Sequence, residues 1–272
     1  MRRKVVLSLL VIGIMIFPGI TAVSLLKSGV ERAIVKEPIL FGTSDSLNWA
    51  GYVVTGSDGS VANVSVSFII PNTDTSGGSY AAFWVGIDGF SGSTVEQTGI
   101  LAEPSGFGHK TTTVYEVWYE FYPAAPVYAS FTAEAGDYVY ANVTYNGGNS
   151  FTTYISVMTP SGSVIGTFGT TQVVSGAADN SAEWIVEAPA SGGKILPLAN
   201  FGTIYFGFDN TGIKMTNYAT VNGNYGPMGG FSLTEVVMVS QTGQPKAAPS
   251  AVSSDGTSFS VSYDQSVGGH GR

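Results

Sequence analysis

The residues of this 272-residue chain that could do acid–base chemistry concentrate in three stretches that alternate like strands. In Thr113–Pro123, alternation puts Glu116, Trp118, Glu120 and Tyr122 on one face and Tyr115, Val117, Tyr119 and Phe121 on the other. In Ser181–Ala188, Glu183, Ile185 and Glu187 share a face opposite Ala182, Trp184 and Val186. In Tyr80–Gly89, Trp84, Gly86 and Asp88 oppose Phe83, Val85 and Ile87. A sheet face that mixes indoles, phenols and carboxylates is costly to bury and unusual to leave bare, which points to a substrate groove. Cross-strand packing, with carboxylates accepting buried hydrogen bonds, is the plainer alternative. The pair Glu116 and Glu120 also suits a jelly-roll glycoside hydrolase or a carbohydrate-binding β-sandwich. However, an i, i+4 pair on one strand lies about 13 Å apart, beyond the roughly 5–9.5 Å such acid and base pairs use.

Composition narrows the chemistry. The chain has no cysteine, hence no thiol nucleophile, disulfide or Cys-ligated zinc, and only two histidines, His109 and His270. Catalysis must then rest on carboxylates, hydroxyls and amides, and no metal or cofactor is expected. No G-x-S-x-G elbow, H-E-x-x-H helix or phosphate-binding G-x-x-x-x-G-K-[ST] loop is present. A serine triad would depend on His109, which sits in a glycine-rich turn-like stretch, and His270 lies in a terminal tail. Net charge is −8, and residues 44–272 hold five basic against seventeen acidic groups, so a nucleic-acid partner is disfavoured. Only 11% of residues are charged, which suits an acidic medium because few carboxylates need protonating and few cations repel.

Residues 1–22 read as a signal peptide: Arg2, Arg3 and Lys4 precede an apolar run from Val5 to Ile20, with Thr21-Ala22 as the cleavage region. The run is near the lower limit for an uncleaved membrane anchor. Residues 23–43 contain the one plausible helical patch and read as a short propeptide or linker. From Ser46 onward, short runs rich in Val, Ile, Thr, Tyr and Phe are punctuated every 8–12 residues by Gly, Asn, Ser or Pro, an all-β signature. Strands are expected at 47–55, 60–70, 80–88, 94–102, 111–122, 137–145, 150–158, 181–187, 202–209, 231–240 and 257–263. A single large antiparallel β-sandwich over residues 44–265, with a flexible tail at 266–272, accounts for them. Two sequons, at Asn63 and Asn142, permit glycosylation in a suitable host.

Five segments, in order, resemble the glutamic peptidases, or eqolisins: Asn48–Gly51, Trp84–Gly89, Gln97–Gly99, Tyr115–Pro123 and Ala182–Glu187. The resemblance implies two long bent sheets forming a sandwich with a concave cleft, and endopeptidase activity on polypeptides in acid; with the signal-like segment, a secreted, cofactor-free monomer is expected. It also implies a catalytic pair, mapped onto Gln97 and Glu183. Glu183 would be the base that activates water and the acid for the leaving nitrogen, and Gln97 the donor to the tetrahedral oxyanion. Trp49, Trp84, Trp118 and Tyr122 would line the cleft, and Asp88, Glu116 and Glu120 would form a carboxylate network around the pair. Two departures stand out: fungal members carry cysteines that this chain lacks, and their propeptides are longer than residues 23–43.

Overall fold

The computed structural model describes residues 39–106 and 111–264. The signal segment, the helical patch of residues 23–38, His109 and the tail from residue 265 lie outside the described residues. In chain order the strands are β1 (Ile39–Ser46), β2 (Trp49–Thr55), β3 (Val61–Ile69), β4 (Ala81–Ile87), β5 (Val95–Ser105), β6 (Thr112–Tyr122), β7 (Val127–Ala133), β8 (Tyr138–Gly147), β9 (Ser150–Met158) and β10 (Val164–Val173). They continue as β11 (Ser181–Glu187), β12 (Ala190–Ser191), β13 (Lys194–Ile195), β14 (Thr203–Gly207), β15 (Tyr218–Val221), β16 (Asn224–Pro227), β17 (Ser232–Val239), β18 (Pro245–Pro249) and β19 (Ser258–Tyr263).

Pairing runs β1-β17-β2-β11-β4-β5-β6-β7 across one layer and β16-β15-β3-β8-β9-β10 across the other. β18, β19 and β14 join the two along one edge, so the ladder turns back over itself as a sandwich. All pairs are antiparallel except β1 with β17. β4 is buried along its whole length and β11 along all but its last residue, which explains their near-continuous apolar sequences.

The alternation read from the sequence separates two apolar clusters. Ala182, Trp184 and Val186 of β11 join Phe83, Val85 and Ile87 of β4 in the core between the layers. The Trp184 indole N–H crosses to the Ser65 carbonyl of β3 at 2.9 Å, a hydrogen bond that ties the layers together. On the other face of the first layer, Val53, Ala82, Trp84, Trp118, Ile185 and Val236 form a second, smaller cluster that floors the cleft.

The expected strands reappear with ends shifted by up to three residues. Others escape the sequence pattern. β1 takes up residues assigned to the linker, and β10 carries Gly166, Gly169 and mostly exposed polar residues that hide its periodicity. β7 is largely exposed, and β15, β16 and β18 are short or rich in Ala, Gly and Pro.

Gly99 holds the floor flat. It pairs with Trp84 on one side and Trp118 on the other, and a Cβ there would run into the Phe83 carbonyl and the Trp84 backbone. We expect Gly99→Ala to cost about 3 kcal/mol by overpacking, lowering Tm by roughly 6–12 °C in calorimetry.

Candidate active site

The register of four neighbouring strands determines which polar side chains meet. Glu183 of β11 pairs with Gly86 of β4, Gly86 with Gln97 of β5, and Gln97 with Glu120 of β6. Directly paired residues point to the same face, so this row faces the same side as Trp84 and Trp118. Two turns of the pleat further along, Glu187 pairs with Ala82 and Trp49 on that same face.

A cleft of about 880 Å³ opens over the face. Of the nine residues singled out from the sequence, five line it: Trp49, Gln97, Trp118, Glu120 and Tyr122. Trp84 lies fully buried beneath, its ring edge-on to Trp49 with centroids 4.9 Å apart. Glu116, partly buried, follows Trp118 on the same face of β6.

Gln97 is 7% exposed and its Nε2 donates to Glu120 Oε2 at 2.6 Å. Its Oε1 has no partner. Burial raises the Glu120 carboxyl, and the Gln97 hydrogen bond holds the rise back.

The cleft residue that the sequence reading left without a role is Glu187. Its Oε2 accepts the Trp84 indole N–H at 2.8 Å and its Oε1 accepts Asn48 Nδ2 at 3.2 Å. Burial pushes Glu187 up to about 7; the indoles of Trp84 and Trp49 and the Asn48 amide oppose the rise, while the charge of Glu120 adds to it. The signal was available in the sequence, since Glu183 and Glu187 share one face of one strand.

The two remaining residues lie elsewhere. Glu183 is 0% exposed, does not line the cleft, and neither of its carboxyl oxygens has a hydrogen-bond partner. Burial raises its pKa well above the ordinary range, and the charges of Asp88 and Glu96 add to the shift. The Ser181 hydroxyl and Phe90 backbone offset part of it without hydrogen bonds of good geometry. Asp88, also fully buried, does not orient the cleft amide. At φ 67° it accepts the backbone N–H groups of Ala178, Asp179 and Asn180 at 2.8–2.9 Å, clamping the chain that leads into β11.

A β-sandwich whose cleft is furnished with carboxyls and the side-chain amides of Asn48 and Gln97 is the architecture of a carboxyl-dependent hydrolase. The family model for the Peptidase A4 family matches residues 47–263, and the chain belongs to that family. It is 32% identical over 203 residues to aspergillopepsin-2 of Aspergillus niger, covering 65% of this chain and 68% of the relative. A solved structure of scytalido-glutamic peptidase with a peptide-based transition-state analogue superposes with a TM-score of 0.62 at 24% identity, over 80% of this chain and 99% of that one. Aspergilloglutamic peptidase from Aspergillus niger does so with a TM-score of 0.53 at 27% identity, over 68% and 99%. The chain is therefore a glutamic-type endopeptidase, and the sugar-cleaving reading of Glu116 and Glu120 falls away.

Glu183 and Glu96 are carboxyls that the folded state keeps protonated; Glu96, 0% exposed with both oxygens unpartnered, is pushed up to about 8 by burial and by Asp88. The unfolded chain releases these protons near pH 4.3, so stability is greatest below that pH and falls as pH rises towards the folded values. We expect Glu183→Gln, which has no proton to lose, to shrink the loss of unfolding free energy between pH 4 and pH 7 by on the order of 2 kcal/mol. Urea titrations at the two pH values measure it.

Proposed function

We propose that the chain is a secreted acid endopeptidase in which Gln97 and Glu187, supported by Glu120, carry the reaction. One observation carries this reading: Glu187 lines the same cleft as Gln97 and is held there by Trp84 and Asn48, whereas Glu183 is sealed beneath it. The proposal transfers to Glu187 the role that the resemblance suggested for Glu183.

The charge of Glu120 helps to raise Glu187, so the two carboxyls are electrostatic neighbours in the cleft. With one proton between them, the pair offers a base and an acid together. Ionised Glu187, steadied by two N–H donors, takes a proton from water as the oxygen attacks the peptide carbonyl carbon. Gln97 Nε2 spends one hydrogen on Glu120, which fixes the amide, and its second hydrogen is left for the oxyanion. Collapse of the tetrahedral adduct breaks the C–N bond, and Glu187 returns its proton to the leaving nitrogen, so no proton is gained or lost over the cycle.

Glu187 loses its resting proton as pH rises through about 7 and its charge then faces the Glu120 carboxyl across the cleft, so the state with one proton between the two carboxyls is lost. Cleavage of an unfolded protein substrate is therefore expected to decline as pH rises through about 7, read from kcat/KM between pH 2 and 8.

In the same assay, Glu187→Gln should reduce turnover by at least about 10³-fold and Gln97→Ala by about 10²–10³-fold. Glu183→Gln should retain most of the acid activity. Loss of activity in Glu183→Gln protein shown to be folded, with Glu187→Gln still active, would reverse the assignment.

A further inference from the structure

The outer face of the second layer, on the far side of the sandwich from the cleft, has a surface that the hydrolytic step does not use. Val139, Ala141 and Val143 of β8 and Phe151, Ile155 and Val157 of β9 point into the core, so Tyr140, Asn142, Thr144, Thr152 and Tyr154 point out. Register aligns one polar row across six strands: Tyr225, Thr220, Asn63, Thr144, Thr152 and Thr171 are successive partners on that face. With strands about 4.8 Å apart, the row runs roughly 24 Å. Asn63 Nδ2 donates to Thr144 Oγ1 at 2.7 Å, and the Thr152 and Thr171 hydroxyls share a hydrogen bond of 2.7 Å, so the row is held in place. Phenols flank it: the Tyr218 and Tyr225 rings lie 5.2 Å apart between centroids, and those of Tyr140 and Tyr154 6.4 Å. Burial, and then the Tyr140 and Tyr218 phenols, push Tyr225 up to about 12, which makes the three side chains near neighbours. The segment 208–217 covers Ser65 and Ser67 beside the row, while every member of the row and Tyr154 keep exposed surface.

Charge selects the partner. Among the described residues, no Asp, Glu, Lys or Arg stands in β3, β8, β9, β10, β14, β15 or β16, whereas β5, β6 and β11 carry Glu96, Glu103, Glu116, Glu120, Glu183 and Glu187. Charged neighbours stand on the covering segment, at Asp209 and Lys214, and at Asp255, whose charge raises Tyr218. A polyanion is repelled by a chain of net charge −8, and a polycation finds no carboxylate along the row, so the face is complementary to a neutral partner. Rings set among threonines and asparagines, in place of Leu or Ile, suit a partner that presents C–H surfaces and hydroxyls side by side.

We propose that this outer face binds a neutral, flat polysaccharide whose glucose-type rings are linked through equatorial bonds. The C–H faces of the sugar rings lie on the electron-rich faces of Tyr154 and Tyr225, and Asn63, Thr144 and Thr152 exchange hydrogen bonds with the sugar hydroxyls. Tyrosines and threonines already fixed on a sheet lose little freedom on binding. No sugar bond is broken, and the Glu116 and Glu120 face takes no part. The contact holds the enzyme on a polysaccharide surface with its cleft turned away from that surface.

The test is calorimetric titration of the full chain, produced without N-glycosylation so that Asn63 and Asn142 are bare, with cellohexaose and chitohexaose. Maltohexaose, which is bent by its axial links, and a galacturonate hexamer, which is charged, serve as controls. At least one of the two flat neutral hexamers should bind, and both controls should bind about tenfold more weakly or not at all. Tyr154→Ala and Tyr225→Ala should each weaken binding about five- to tenfold and Tyr154→Trp should retain it, with cleavage of a soluble peptide unchanged in all three. Thr152→Glu, which puts a charge on the row and removes no ring, should also weaken binding and provides the answer should an alanine variant not fold. No binding of either flat hexamer at millimolar concentration, or binding that survives both tyrosine substitutions, would overturn the proposal. So would competition between the sugar and a peptide substrate, which would place the sugar in the cleft. Self-association that the same substitutions abolish, without sugar binding, would overturn it too and assign the face to a second copy of the chain.

Discussion

Carboxyl groups buried in a protein with almost no cations must either stay protonated or be caged by N–H donors. Only Lys194, Lys214 and Lys246 are cationic among the described residues, against seventeen acidic side chains. The sandwich meets this constraint in two ways. Asp88 is caged by three backbone N–H groups, and Glu183 and Glu96 are sealed away without partners, which a carboxyl can tolerate only as the neutral acid. The fold and the chemistry in the cleft thus both depend on carboxyl protonation, though at different residues.

Within that frame, hydrogen bonding distinguishes the two glutamates of β11. Both stand on one face of one strand, four residues apart, yet Glu187 meets an indole N–H and an amide N–H at the cleft and Glu183 meets neither. A group held by donors can carry a negative charge for part of a catalytic cycle. A fully buried group without them gains nothing by ionising. Trp84 links the two roles, since it packs into the apolar floor and its N–H fixes Glu187.

Much of this was legible in the sequence. Period-two alternation in Thr113–Pro123 and Ser181–Ala188 assigned the faces of β6 and β11 correctly, because both strands pack on both sides and every side chain there has a defined environment. The cleft positions of Trp49, Gln97, Trp118, Glu120 and Tyr122 followed from the ordered motifs. Alternation cannot tell which of two same-face carboxyls meets solvent. That depends on contacts formed only on folding, such as the 88–95 connection, whose Phe90 backbone lies beside Glu183. The charge of Asp88 does raise Glu183, but its clamping of the chain into β11 left no local trace, since that rests on a left-handed backbone and three N–H partners some ninety residues away.

The central claim is that Glu187 and Gln97, and not Glu183, touch the reacting atoms. A crystal structure of this chain with a peptide-based transition-state analogue tests it most directly. The account predicts the tetrahedral centre with one oxygen within about 3 Å of the Glu187 carboxyl and the other within about 3 Å of Gln97 Nε2, while Glu183 remains sealed beneath. An analogue seated against Glu183, with Glu187 turned away from the reacting centre, would contradict it.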